Sequence, residues 1–217
     1  MQVKFNVIVG AVVATCAVAA SAQEAVVKIG HVAPMSGGQA HYGKDNANGA
    51  RMAVEDLNAK GVVVGGKKIK LELMAEDDAA DPKQGPAVAT KLCDSKVNGV
   101  VGHLNSGTTI PASKVYNDCG LPMITGAATN PKLTQQGFKN VYRIIANDNA
   151  LGAGLALHAA NNLKLKKVAI IDDKTAYGEG LANEVEKFLK GKKIAVVSRE
   201  RTTDKETDFK AIIKRNQ

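Results

Sequence analysis

GVVGHLNSGTT, residues 99–109, and LPMITGAATNP, residues 121–131, decide how this chain is read. In each, a short apolar run of the kind that forms a buried parallel strand stops abruptly at small residues, hydroxyls and glycine. Such an ending exposes backbone N–H groups and hydroxyls in front of the next helix, whose dipole and unpaired N–H groups favour negative charge. Neither stretch contains an obvious nucleophile, metal-ligand set or phosphate loop. Both read as the rim of a binding site for an anion or a zwitterion.

On either side of these stretches the chain alternates strands and helices. A first strand is expected over 26–32 (VVKIGHV), then a loop over 33–38 and an amphipathic helix over 43–59 with Ala50, Ala53, Val54 and Leu57 on one face. Gly65-Gly66 marks a turn, 67–76 a strand, and Pro82 opens a helix running to about residue 94. A helix over 110–118 separates the two rim strands, and 141–146 forms another strand. The pattern then restarts with helices over 150–163, 180–190 and 208–214 around strands over 167–172 and 193–198. Strands separated by single helices give an α/β fold, with parallel sheets covered by helices on both faces.

The expected organisation is a first lobe over 23–146 and the beginning of a second over 147–217, short for a domain of its own. Ligands of open parallel sheets bind outside the carboxyl ends of the strands. Here those ends supply Ser36, Asp77-Asp78, Asn105-Ser106-Gly107-Thr108, Gly126-Ala127-Ala128-Thr129 and residues 172–177. Read without any resemblance, Ser106 and Thr108 are better taken as caps of the following helix, a role compatible with ligand contact. Asp77-Asp78 and Asp172-Asp173 read as loop or capping carboxylates instead of metal ligands, because no His or Cys stands beside them.

Residues 1–22 follow the plan of a secretory signal: Lys4, an uncharged apolar stretch over 5–20, and Ala20-Ser21-Ala22. Cleavage is expected after Ala22. The apolar core is short for a membrane span, and Thr15 before Cys16 is a poor fit to a lipidation box. Removal of this segment leaves Cys93 and Cys119, and two cysteines in an exported chain are more often bridged than free. Each is expected at the C-terminal end of one of two successive helices, side by side in such a fold.

The formal charge of +8 falls to +7 with Lys4 removed, and the lysines are scattered among acidic and apolar stretches. That pattern is a solvated surface, and with four Tyr, four Phe and no Trp there is no base-stacking platform for nucleic acid. APMSGG at 33–38 fails the dinucleotide fingerprint; no G-x-S-x-G elbow or H-E-x-x-H occurs, and His31, His41, His103 and His158 lack metal spacing. A Ser106–His103 pair is imaginable, yet His103 reads better as a rim or packing residue. No catalytic residue, metal or cofactor is expected.

Four strings in order, DDAADPKQ (77–84), GHLNSGTTIPAS (102–113), ITGAATNP (124–131) and DDKTAYGEGLA (172–182), resemble the periplasmic branched-chain amino-acid-binding proteins of ABC importers. The resemblance runs from about residue 27 to the end of the chain. It implies a two-lobed type I periplasmic binding fold that closes on leucine, isoleucine or valine and presents it to an inner-membrane permease. Such a protein is expected in the periplasm, as a monomer when complete.

Position by position, the resemblance assigns Ser106, Thr129 and the backbone at Ala127 and Ala128 to the ligand's carboxylate and ammonium. It gives Asn105 and Tyr42 to the pocket wall, and Tyr177 to the second-lobe lid. The family's remaining second-lobe partners, an acidic residue among them, fall beyond Gln217, so an incomplete chain that binds weakly or not at all is expected. Ala80 and Asn105 stand where some relatives carry a cysteine pair; Cys93 and Cys119 would be a different staple. Urea, short amides and aromatic amino acids remain alternative ligands, with a Ser/His hydrolase or a ligand-sensing regulator as further readings.

Overall fold

The computed structural model describes residues 24–216, so the signal-peptide reading of residues 1–22 lies outside the described residues. The first strand, β1 (Ala25–Ala33), is followed by α1 (Ala40–Lys60), β2 (Val63–Val64) and β3 (Lys67–Asp77). Next come α2 (Gln84–Asp94), β4 (Gly99–Gly102), α3 (Ser106–Asp118), β5 (Met123–Thr125), α4 (Lys132–Gln135) and β6 (Val141–Arg143). After a short crossing, α5 (Asp148–Leu157) runs into a π turn at His158–Asn162. It leads to β7 (Lys167–Asp172), α6 (Ala176–Gly191), β8 (Ala195–Arg201) and α7 (Lys210–Arg215).

Among the described residues β2–β3–β1–β4–β5–β6 form one sheet and β7–β8 another, parallel throughout except for the short β2 edge against β3. This is the α/β architecture of a type I periplasmic binding fold, in which all the C-terminal strand ends of a sheet share one rim.

The core of the first sheet is built by Val32, Ala89, Leu92, Val100, Tyr116, Met123 and Leu133, between the strands and the helices α2 and α3. Burying a side chain such as Leu92 contributes about 1.5–3 kcal/mol. Gly30 lets α2 approach closely: a Cβ there would lie 2.9 Å from Leu92 Cδ1. A second, smaller core gathers Ala156, Ile170, Ala182, Leu189 and Ile194. Gly152 permits the packing of α5 on α6, since its Cβ would meet the backbone of Glu184 and Val185 at 2.9 Å.

Right-handed crossovers leading from β3 to β4 to β5 put α2 and α3 on the same face. The crossover from β1 to β3 runs the opposite way and puts α1 on the other face, so helices flank both faces as expected, while Val101 (39%) and Tyr142 (53%) stay exposed there. Several expectations are corrected. The helix expected from residue 110 begins at Ser106 and carries Pro111 inside it, and the one expected from 180 begins at Ala176. In both, the sequence suggested loop because glycines and hydroxyls crowd the first turn. The strand expected to residue 146 ends at Arg143, and the two-residue β2 and four-residue α4 were not anticipated.

Cys93, near the C-terminus of α2, and Cys119, the C-cap of α3, are joined by a disulfide with Cα atoms 6.4 Å apart. The bridge lies at the end of these helices opposite to the rim.

Candidate functional site

The rim residues meet the first turn of α6 in a cleft of about 800 Å³ lined by residues from both sheets. Its walls include Tyr42, Asn105, Ser106, Ala127 and Thr129 on one side and Asp173, Thr175, Ala176 and Tyr177 on the other. Tyr42 and Tyr177 are both largely exposed, at 60% and 44%. Tyr177 is therefore a cleft residue and not a core aromatic.

Donors come from two helix starts. In α3 the N–H groups of Thr108 and Thr109 both donate to Asn105 O, so those of Ser106 and Gly107, one step earlier, have no intrahelical acceptor. In α6 the Thr175 hydroxyl accepts from Gly178 N at 2.9 Å and Thr175 O from Glu179 N, which leaves the N–H groups of Ala176 and Tyr177 in the same position. Two positive helix ends thus face one space.

Acceptors are present as well. Thr129 Oγ1 and Asn105 Oδ1 are buried without a hydrogen-bond partner. Asn105 Nδ2 donates to Gln39 Oε1 at 2.7 Å, which fixes the amide. Gln39 itself was not singled out in the sequence; its place after Gly37-Gly38 at the end of the first strand was the signal for it.

The capping reading of Ser106 and Thr108 does not hold. Asn105 is the N-cap and makes no side-chain cap, while Thr108 Oγ1 and Thr109 Oγ1 donate to Asn105 O at 3.1 and 2.7 Å. Ser106 Oγ accepts from Asn130 N at 3.3 Å and so ties the two rim loops together. Ala128 does not line the cleft; it is 1% exposed and packs in the core. The N–H groups of Ala127 and Ala128 are both spent on Thr125 Oγ1, at 3.2 and 3.0 Å, so the rim's backbone donors lie at Ser106 and Gly107 and not here.

Beneath the rim lies a buried polar chain. His103 Nδ1 pairs with Asp78 Oδ2 at 2.8 Å and His103 Nε2 with Tyr116 OH at 2.9 Å, while Thr125 Oγ1 donates to His103 O. Burial pulls the Asp78 carboxyl upward, but His103 and Thr108 outweigh it and hold it below the usual carboxylate range. Burial, helped by the charge of Asp78, pushes the Tyr116 hydroxyl far above its ordinary range. His103 is fully enclosed and 1% exposed, so it supports the rim from below and has no access to a solute at Ser106.

Asp148, at the start of α5, donates its N–H to Thr129 O, and its buried carboxylate lies near the Thr129 hydroxyl without a hydrogen bond of normal geometry. Burial and nearby Glu184 push this carboxyl above its ordinary range, against the pull of the Thr129 hydroxyl and Arg143. Asp77 and Asp173 organise loops: Asp77 Oδ1 accepts from Met35 N and Ala79 N, and Asp173 Oδ1 from Thr175 N. Asp172 pairs with Arg199 at 2.8 Å. Among the described residues no group of three or more His, Cys, Asp or Glu could hold a metal ion.

The chain is a parallel-stranded α/β fold in which two helix ends face a polar cleft, and it belongs to the periplasmic binding protein family, which matches residues 26–217. It is 41% identical to the leucine-specific-binding protein of Salmonella typhimurium over 217 residues, all of this chain and 58% of that protein. It is 39% identical to the Leu/Ile/Val-binding protein of Escherichia coli over 189 residues, 87% of this chain and 51% of that one. Among solved structures, it is similar to a branched-chain amino acid transporter substrate-binding protein of Streptococcus pneumoniae in complex with isoleucine. That similarity has a TM-score of 0.77 and 30% identity over 88% of this chain and 53% of the other. A leucine-binding protein of Thermotoga maritima gives 0.79 and 28%, over 88% and 53%. The chain thus spans about half the length of the relatives it matches.

Proposed function

We propose that this chain forms the solute-gripping part of an exported protein that binds leucine, isoleucine or valine in the periplasm and delivers it to an ABC permease. The observation that carries this reading is the double polarity of the cleft. Unpaired N–H groups of Ser106, Gly107, Ala176 and Tyr177 suit a carboxylate, and the partnerless acceptors Thr129 Oγ1 and Asn105 Oδ1 suit an ammonium group. The carbonyl of Ala127 adds an acceptor, and Tyr42 and Tyr177 offer apolar faces to an aliphatic side chain.

The relatives named above support the choice of ligand, and the opposed polarity favours an amino acid over a simple acid. One structure similar to this chain, from Rhodopseudomonas palustris at 25% identity, holds 3,4-dihydroxybenzoic acid. Such a ligand leaves the two acceptors without a cationic partner. In this reading residues 23–146 are the first lobe and 147–217 belong to the second, the signal segment is removed after Ala22, and the protein carries out no catalysis.

Titration of the labelled chain with leucine, followed in amide NMR spectra, tests the proposal. Leucine at millimolar concentration is expected to shift the amides of Ser106, Gly107, Ala176 and Tyr177, and 4-methylpentanoate, which lacks the amino group, is expected to shift them far less. Equal responses to both would remove the ammonium site. No response to leucine, isoleucine or valine would overturn the reading.

A further inference from the structure

Asn130 sits where the two sheets' rims touch, and each of its four polar groups has a partner. Its N–H donates to Ser106 Oγ, its carbonyl accepts from Arg143 Nη1 at 3.2 Å, and its Oδ1 accepts from Lys132 N at 2.9 Å. All of these partners belong to the first lobe. The remaining group, Nδ2, reaches the facing helix and donates to Ala176 O in the first turn of α6, at 2.7 Å.

The opposing helix is shaped for this contact. A Cβ on Gly180, one turn further along α6, would lie 2.3 Å from Asn130 Nδ2, so a side chain at that position would displace the amide. The helix starts themselves touch: a Cβ on Gly107 would lie 3.9 Å from Ala176 Cβ. Asn130 thus joins the hydroxyl of Ser106 to the helix end that faces it.

We infer that Asn130 is a positioning residue: its side-chain amide clasps the first turn of α6 against the first turn of α3, so that both helix ends address one solute. The functional part of this inference rests on the reading of the cleft as a solute site; the clasp itself does not. An apolar or anionic side chain at position 130 cannot donate to Ala176 O, and the two helix ends then separate more often.

The spacing of Gly107 and Ala176 supplies a direct readout, because Cβ atoms about 3.5–4.5 Å apart suit a disulfide. In a Cys16→Ser background with the Cys93–Cys119 bridge intact, the pair Gly107→Cys and Ala176→Cys is oxidised with diamide and followed by mass spectrometry, with no solute added. Adding Asn130→Ala is expected to slow cross-linking about three- to tenfold, the effect of one lost hydrogen bond. The near-isosteric Asn130→Asp is expected to slow it at least as much, and Gly180→Ala to slow it by pushing the amide aside.

Unchanged rates in Asn130→Ala and Asn130→Asp, with circular dichroism showing both folded, would overturn the clasp. If only Asn130→Ala fails to fold, the Asn130→Asp rate decides. Slowed cross-linking in a protein that ignores leucine would keep the clasp and remove the solute reading, so the two failures are distinguishable. Where leucine does bind, Asn130→Ala is expected to weaken it by the same factor, although Asn130 itself lies outside the cleft lining.

Discussion

Ser106 combines more roles than its side chain suggests. Its hydroxyl accepts from Asn130 N, which leaves the O–H proton available to an anion in the cleft beside the Ser106 and Gly107 N–H groups. Replacing Ser106 with Ala is expected to weaken leucine binding by about 1–3 kcal/mol, the effect of leaving a charged group short of a hydrogen bond. Calorimetry or an NMR titration checks this, and unchanged affinity would take Ser106 out of the site. Below the rim, two residues make the fold sensitive to acid. Burial holds the His31 imidazole below its ordinary range, so stability declines as pH falls below about 6.5, where the unfolded chain takes up a proton first. The lowered carboxyl of Asp78 adds a second window: its stabilisation is complete above about pH 3.9 and is lost as pH falls from there through the folded value. Urea midpoints across pH 3–8 should show both declines. Asp78→Asn should reduce the second while lowering stability at neutral pH by about 1–3 kcal/mol.

At the scale of elements, the alternation of short apolar runs with amphipathic stretches was enough to place most strands and helices, because buried parallel strands are apolar throughout. Helix starts were harder. SGTT opens α3 and AYGEG opens α6, yet both strings favour turns when read locally; tertiary contact across the cleft and packing of Ala112 and Tyr116 overrule that preference. Ser106, Thr129, Tyr42 and Tyr177, to which the family resemblance pointed, all line the cleft. The site was not legible where a neighbour consumes a group, as Thr125 consumes the N–H groups of Ala127 and Ala128. Asn130 fell inside a recognised string, but only the approach of α6 shows what its amide does. The two helices α2 and α3 are also joined covalently, through residues 26 apart in sequence. Opening that bridge, by reduction or by replacing both cysteines with Ser, is expected to lower stability by about 2–4 kcal/mol. Chemical denaturation of oxidised and reduced protein measures it, and two freely alkylating thiols in the untreated mature protein would end the expectation.

For the whole molecule, the asymmetry of helix placement matters most. The face of the first sheet opposite α2 and α3 leaves an apolar cavity of about 290 Å³, with Val101, Ile124 and Tyr142 among its lining residues. Beside it Ile144 is 71% exposed. Open apolar sheet surface promotes association, so the chain should bind a hydrophobic dye and sediment as larger species with rising concentration. Replacing Val101 and Tyr142 together with Lys should reduce both while shifting the unfolding free energy by no more than about 1 kcal/mol, since neither side chain is in the core. Undiminished dye binding in that variant would place the sticky surface elsewhere.

The position of the Cys93–Cys119 bridge has a practical side. It occupies the pole of the first sheet remote from the cleft and uses both cysteines found among the described residues. A single cysteine introduced at Tyr42, exposed on the rim, would therefore be the one free thiol among the described residues of the oxidised protein. A fluorophore attached there would show by its emission whether the gap to Tyr177 narrows when leucine is added, an optical test of closure in solution.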